Sequence, residues 1–185
     1  VLLHQPTPVA ALTVDAAWVY FSSATTGEVL RADIATGDVD QTWRVVVSRA
    51  DNSPGVVTSM VNTGGFVYLG GDFERISGIA IPVTTRRAVA AVGVDGSLAA
   101  WAPALEGLNG VTLRALLAQG PTIYIGGDFT SVNGQFRLGF AAVDAVSGVL
   151  SQPEMVVLGE TSIYGLATDG ARTFVTGASF GAPLV

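Results

Sequence analysis

The chain of 185 residues contains no cysteine, no lysine and only one histidine, His4. Without cysteine it can form neither a disulfide nor a zinc–thiolate site, and it has no thiol nucleophile. A single histidine argues against a Ser-His-Asp triad, which needs that residue as its base. All nine basic residues are arginine, the net charge is −6, and the largest basic cluster is Arg86-Arg87. Electrostatic binding to nucleic acid is therefore not expected.

Charged residues and helical periodicity are also scarce. Only 13% of the residues are charged and 49% are hydrophobic, so disorder is not expected. The 23 glycines lie among valine, alanine, threonine and leucine, which is typical of short strands and tight turns. The longest uncharged run, 52–71, contains Pro54 and five glycines, so no membrane span is predicted. Because the chain starts at Val1 without methionine, we expect a processed or excised segment.

The dominant pattern in the sequence is a tandem repeat. The apolar and glycine-rich run Val67–Phe73 recurs 56 residues later as Ile123–Phe129. Three apolar columns continue in register through four copies: Val9, Val57, Leu113 and Ile163; Leu12, Met60, Leu116 and Leu166; Tyr20, Tyr68, Tyr124 and Phe174. The repeats are 48, 56 and 50 residues long. They define units 9–56, 57–112, 113–162 and a partial unit 163–185, with 1–8 as the outer strand of a preceding or closing unit.

Each unit is predicted to consist of four short strands separated by turns rich in glycine, aspartate and proline. The first two strands carry the apolar columns. The third and fourth strands are predicted at Glu28–Asp33 and Asp38–Trp43, Arg87–Val92 and Ser97–Trp101, and Leu138–Asp144 and Val149–Gln152. Four strands in about 50 residues are typical of a propeller blade. The predicted fold class is therefore all-β: one domain that is a β-propeller, or a propeller arc of four-stranded antiparallel blades from a longer chain.

The glycine-rich run also carries a family resemblance. Gly126–Gly134, followed by Leu138–Asp144 and Gly148, resembles the delta-60 type β-propeller repeat of bacterial secreted and cell-surface proteins. Similar runs occur in a fungal cortical-marker ectodomain. Unit one departs from the pattern, because it has Ser22-Ser23-Ala24 in place of Gly-Gly-Asp. The resemblance implies a bacterial, extracellular or cell-surface repeat protein, and it implies no catalytic residues.

Asp72 and Asp128, which follow the two glycine pairs, are the first candidates for a ligand or cation site. Because they are repeated, we favour a structural role in which each carboxylate accepts N–H groups of its own turn. The predicted structural turn residues are Gly70, Gly71, Asp72, Gly126, Gly127, Asp128, Asn133 and Gly134. The glycine pairs are expected to allow close approach of a neighbouring backbone. No cofactor or metal is predicted; calcium near Asp33, Asp38 and Asp40 stays open, although the EF-hand spacing is absent.

The segment from Phe73 to Arg86 departs from the repeat. Because the logic of a repeat does not explain such a segment, we expect it to contact a protein partner or a second copy of the chain. The predicted contact residues are Arg75, Ile76, Ile79, Ile81, Arg86 and Arg87.

Together these features predict a non-catalytic scaffold, outside the cell or at its surface, that mediates protein interaction or assembly. The alternative is a propeller module that binds or processes carbohydrate. Trp18, Trp43 and Trp101 offer rings for sugar stacking, although the matching positions of Trp43 and Trp101 favour packing between units. The loop carboxylates available for glycoside chemistry are Asp51, Glu74, Glu106 and Glu160, each of which also suits a solvated loop.

Overall fold

The computed structural model describes residues 8–151 and 160–180, and all regular structure in these ranges is β-strand. The all-β prediction is confirmed; the predicted outer strand at 1–8, with His4, lies outside the described ranges apart from residue 8. The strands are β1 (Val9–Val14), β2 (Trp18–Ser23), β3 (Glu28–Asp33), β4 (Val39–Ser48), β5 (Val56–Thr63), β6 (Phe66–Asp72), β7 (Arg75–Gly78), β8 (Thr84–Thr85), β9 (Val89–Gly93), β10 (Leu105–Glu106), β11 (Thr112–Gln119), β12 (Thr122–Asp128), β13 (Ser131–Val132), β14 (Gln135–Phe136), β15 (Phe140–Asp144), β16 (Glu160–Thr168) and β17 (Thr173–Phe180).

The described strands form five antiparallel sheets, and four of these follow the four units of the sequence. The four contain β1-β2-β3-β4-β7-β8, β5-β6-β9, β11-β12-β15 and β16-β17, and the fifth contains β10-β13-β14. The first strands β1, β5, β11 and β16 lie side by side, so successive sheets pack against one another in chain order. Tight turns join the strands within a sheet: the Asp15 carboxylate, for example, accepts the N–H groups of Ala17 and Trp18 at 2.8 Å.

The predicted fourth strand forms fully only in unit one, as the ten-residue β4. The prediction of a strand at Ser97–Trp101 is wrong, because only Leu98 forms a bridge, to β9. In the described part of Val149–Gln152, only Leu150 forms a bridge, to β15. In unit two, Pro103 follows closely and has no N–H to donate to a sheet, so the chain leaves the edge early.

The segment predicted to break the repeat is the hairpin β7–β8, which pairs with the far end of β4. Unit three has a counterpart, β13–β14, which pairs with β10. Between the phenylalanine and arginine that flank each hairpin, there are 12 residues in unit two (Phe73 and Arg86) and 7 in unit three (Phe129 and Arg137). The prediction of a break is therefore wrong: this element is shared by both units and is longer in unit two.

A β-bulge interrupts the pairing of the first and second strands in all four units. The extra residue is Ala10, Thr58, Arg114 or Tyr164, always the residue after the first apolar column. A bulge bends its strand and redirects the extra side chain. The four units therefore present chemically different side chains from one equivalent backbone position.

The hydrophobic core lies between successive sheets. One cluster of buried side chains joins units one and two, and another joins units two and three. Both faces of β6 are buried, with Val67, Tyr68 and Leu69 at 0%, 2% and 0% exposure. Tyr68 belongs to the cluster shared with unit three, and its neighbours Val67 and Leu69 belong to the cluster shared with unit one. The aromatic column thus points forward, toward the next unit.

Candidate functional site

The two glycine pairs lie at the ends of strands β6 and β12, not in turns as predicted. A Cβ on Gly71 or Gly127 would collide with a carbonyl oxygen of the paired first strand. A Cβ on Gly126 would lie 2.6 Å from Ile163 Cγ2 in the next unit, and a Cβ on Gly70 would meet the equivalent clash. The expected close approach of backbone therefore occurs, and the glycines also let one sheet pack tightly on the next.

The repeated aspartates pair with arginines. Asp72 Oδ2 accepts hydrogen bonds from Arg49 Nε at 3.1 Å and Nη2 at 2.5 Å, and Asp128 Oδ2 accepts the same pair from Arg114 at 3.0 and 2.5 Å. Neither carboxylate accepts an N–H of its own turn within the described ranges, so the predicted turn role is wrong. Arg49 follows β4, whereas Arg114 is the bulge residue of β11. The two equivalent aspartates therefore form ion pairs with arginines that occupy different positions in their units.

A cleft of about 310 Å³ opens beside the Arg49–Asp72 ion pair. Its lining residues are Arg49, Ala50, Asp51, Asp72, Phe73, Glu74, Arg87, Gly110 and Val111. The cleft brings two candidate acids, Asp51 and Glu74, together with Arg87 from the predicted partner-contact set. Its volume lies at the lower end of the range for small-molecule sites.

Local hydrogen bonds decide the character of the candidate acids. Asp51 Oδ1 accepts the Ser53 hydroxyl at 2.6 Å and the Ser53 N–H at 2.9 Å, and these bonds lower the pKa of Asp51. A general acid for glycoside cleavage needs a raised pKa, so Asp51 is unsuited to that role. Glu106 lies away from this cleft on β10 and accepts a hydrogen bond from Ser131 at 3.0 Å. The side chain of Glu160 lies outside the described residues.

The apolar residues predicted to contact a partner have different environments. Ile76 and Ile81 are only 1% and 3% exposed and belong to the core shared by units one and two. Because they attach the hairpin to its own chain, the partner prediction does not hold at these two positions. Ile79 is 61% exposed and is available to a partner.

The three arginines of the predicted contact set also differ. Arg75 donates to Asn52 Oδ1 at 2.6 Å, and Arg87 is exposed beside the cleft. Arg86 is half-buried and donates to the carbonyl oxygens of Thr85 at 3.0 Å and Ala99 at 3.2 Å. Arg86 therefore braces the loop that carries it.

Two of the tryptophans connect neighbouring units. Trp43 and Trp101 are 1% and 2% exposed, and their Nε1 groups donate at 3.0 Å to Gly93 O and Asp144 O, each in the next unit. Each ring also meets an aromatic-column tyrosine edge-on, with centroids 5.3 and 5.0 Å apart. The favoured reading, packing between units, is confirmed for both. Trp18 is covered by the Arg31 guanidinium, 4.2 Å from its ring centroid.

Two of the three aspartates considered for calcium, Asp33 and Asp40, have other partners. Asp33 Oδ1 accepts the N–H groups of Ala35 and Thr36, and Asp40 forms an ion pair with Arg31 at 2.6 Å. Hydrogen bonds, first from the Thr42 hydroxyl, hold the pKa of Asp40 at about 2. Within 8–151 and 160–180, no group of three or more His, Asp or Glu side chains is arranged to hold a metal ion. Over the same ranges, the fold contains no helix of the length and apolarity that a membrane span requires.

Asn133 and Gly134 form the two-residue turn of the hairpin β13–β14, with φ of 51° and 73°. These angles are those of a type I′ turn, for which Asn-Gly is the preferred sequence. The Asn133 side chain also accepts the N–H of Ala104 at 2.8 Å and donates to Gly148 O at 2.9 Å. The side chain therefore ties the hairpin to two other loops.

Sequence reasoning missed the shared bulge and the shared arginine before the third strand. Arg86 and Arg137 occupy matching positions: the N–H of each bonds back across its hairpin, and Nη1 of each donates to the preceding carbonyl. Counting back from the third strands, rather than forward from Phe73, would have aligned these two residues. The bulge leaves no comparable signal in the sequence.

No protein family model matches the chain, and no curated protein matches it. Among solved structures, the chain is similar to the computationally designed protein Ika4, with a TM-score of 0.57 and 16% identity over 98% of this chain and 96% of that one. The computationally designed protein Ika8 gives a TM-score of 0.36 at 13% identity, over 94% of this chain and 69% of that one. The first similarity is one of overall all-β fold alone.

Proposed function

We propose that this chain is a non-catalytic repeat scaffold that mediates protein interaction or assembly, outside the cell or at its surface. The observation that carries the proposal is how the repeated residues are used. The aromatic column, the glycine pairs and the tryptophans pack within and between units, and the repeated aspartates pair with arginines. The repeat thus builds the scaffold, and the side chains outside it are free to recognise a partner.

We further propose that the units are blades of a propeller arc related to the delta-60 type repeat. Blades of a propeller pack face to face around a central channel that their first strands line. The side-by-side placement of β1, β5, β11 and β16 supports this arrangement. So do the hydrogen bonds of Trp43 and Trp101 to the next unit, because they hold successive sheets in the same relative position.

The hairpins β7–β8 and β13–β14 each expose apolar side chains to a protein partner. Ile79 and Val83 on the first are 61% and 74% exposed, and Phe136 on the second is 69% exposed. Exposed apolar side chains of this size are a common feature of protein-binding surfaces.

Carbohydrate binding at the cleft is the second candidate function. It is favoured by the presence of Asp51, Glu74 and Arg87 around one opening. The burial of Trp43 and Trp101 counts against it, because neither ring is available to stack on a sugar.

Light scattering on the full chain over a range of concentrations tests the scaffold. We expect a mass above that of one chain at high concentration. A constant single-chain mass, together with binding of an oligosaccharide in an NMR titration, would replace the scaffold by the carbohydrate function. In that case Arg87→Ala should abolish sugar binding. Arg172→Ala should not, because Arg172 lies on the turn between β16 and β17 and does not line the cleft.

A further inference from the structure

We infer that two copies of this chain join head to tail, with unit one of one copy packed against unit four of the other. The inference rests on the proposed scaffold function and names its partner and its surface. The head face consists of Val9, Leu12 and Val14 on β1. The tail face consists of Ala167, Phe174 and Thr176 on β16 and β17.

The same two kinds of face already meet at boundaries inside the chain. Between units two and three, a Cβ on Gly70 would lie 3.2 Å from Leu116 Cγ. Between units three and four, a Cβ on Gly126 would lie 3.5 Å from Leu166 Cδ1. At each boundary, therefore, the second strand of one unit covers the apolar column on the first strand of the next.

Head and tail carry these same columns but lack a cover within the described residues. Leu12 is 62% exposed, whereas its equivalents Met60 and Leu116 are each 6% exposed. Phe174 is 49% exposed, whereas its equivalent Tyr68 is 2% exposed. The head face therefore has the surface that a second strand covers elsewhere in the molecule, and a second copy supplies such a strand. Thr176 of that strand stands where Gly70 and Gly126 stand inside the chain. At the same position of unit one, Ser22 is 1% exposed and donates to Val57 O of unit two at 3.0 Å, so a small hydroxyl side chain fits this kind of boundary.

The chemistry of both faces permits this contact. Neither β1 nor β17 contains a charged residue, and the charged residue of β16, Glu160, lies at the opposite end of that strand from Ala167, so no like charges oppose each other between the residues of the two faces. Because head and tail are different surfaces, the joint is heterologous and closes into a ring if the rotation allows it. Two copies contribute about eight units, within the range of propeller rings, so we expect a closed pair.

Single cysteines test the joint directly, because the chain has none of its own. We expect Leu12→Cys and Phe174→Cys to form a disulfide with each other when mixed under mild oxidation, and neither to link to itself. Self-linking of Leu12→Cys alone would overturn the head-to-tail arrangement in favour of a head-to-head one. Absence of any link, with light scattering still showing two chains, would place the interface elsewhere and leave the scaffold proposal standing.

Charge insertion supplies an independent measurement. Leu12→Asp and Phe174→Asp should each reduce the mass of the assembly to that of one chain, with an unchanged circular dichroism spectrum. Mixing the two should restore a two-chain complex through one joint, because Leu12→Asp keeps an intact tail face and Phe174→Asp keeps an intact head face. Ile79→Asp, on the hairpin, is the matched control and should keep the wild-type mass. If Ile79→Asp alone dissociates the pair, the hairpin is the interface and the head-to-tail inference is wrong. If the wild type has the mass of a single chain at every concentration, both the head-to-tail inference and the proposed self-assembly are wrong.

Discussion

Replacing Gly126 by alanine tests how tightly the sheets of units three and four are packed. The added Cβ would lie 2.6 Å from Ile163 Cγ2 and 3.1 Å from Ile163 Cβ. Ile163 is 1% exposed and cannot move into solvent. Overpacking of this kind costs about 1–3 kcal/mol, and alanine recovers about 0.5–1 kcal/mol because glycine is unfavourable in a strand. We therefore expect Gly126→Ala to lower the free energy of unfolding by about 1–2 kcal/mol.

A double-mutant cycle with Ile163→Ala isolates that contact. Alone, Ile163→Ala leaves a cavity and should cost about 2–5 kcal/mol. In the double variant the new methyl group enters the vacated space, so the combined loss should fall short of the sum by about 1 kcal/mol or more. Urea unfolding followed by tryptophan fluorescence gives the four free energies. Gly127→Ala is the matched control, because its Cβ meets backbone atoms that Ile163→Ala does not remove. Additivity of Gly126→Ala and Ile163→Ala within about 0.5 kcal/mol would refute the reasoning.

Three further substitutions test other contacts, each by urea unfolding. Ala88 and Ala90 are both 0% exposed, but Ala88 has φ of 61°, a left-handed conformation that glycine adopts without strain. Ala88→Gly should therefore lower the free energy of unfolding by about 1–2 kcal/mol less than Ala90→Gly does. Equal losses would contradict this expectation. A hydroxyl donor and then Arg31 hold the pKa of Asp40 at about 2, below its ordinary 3.8. Because the pKa of Asp40 is lower in the folded state than in the unfolded state, its ionisation should contribute about 2 kcal/mol of stability above about pH 5, and this contribution should be lost toward pH 2. The difference in free energy of unfolding between wild type and Asp40→Asn should therefore narrow over that range. Trp101→Phe should cost about 1–2 kcal/mol through loss of its 3.0 Å bond to unit three, and an unchanged stability would speak against that bond.

The fold could be predicted from the sequence where the repeat itself determines it. Glu28–Asp33, for example, was predicted with the bounds that β3 has. The aromatic column marked the second strands, and β6, which lies between two sheets, is apolar on both faces. The fourth strands could not be predicted in the same way. Ser97–Trp101 has a strand-like composition, but only Leu98 bridges to β9, and Pro103 shortly after it has no N–H to donate to a sheet.

The candidate site was less accessible to sequence reasoning. Asp72 and Asp128 were recognised as equivalent, yet their partners Arg49 and Arg114 occupy different positions in their units. A comparison of repeats identifies residues that recur, but it cannot identify an ion-pair partner that occupies a different position in each unit. The cleft residues Glu74 and Arg87 flank the hairpin β7–β8, and Asp51 follows β4, with which that hairpin pairs. Backbone hydrogen bonds between segments that are distant in sequence bring the three together.

The exposure of an apolar residue in this repeat depends on whether a neighbouring unit covers it and not on its own position in the unit. Leu12 and Leu116 have the same side chain at the same position of the repeat, and their exposures are 62% and 6%. Nothing local distinguishes them, since both lie on a first strand two residues after the bulge. The difference arises because unit two covers Leu116, and no described unit covers Leu12. A repeat therefore encodes the same pair of contact surfaces once per unit, one on the first strand and one on the second. Within the described residues, the first-strand surface of unit one and the second-strand surface of unit four have no neighbour, and these are the two surfaces that the proposed joint brings together.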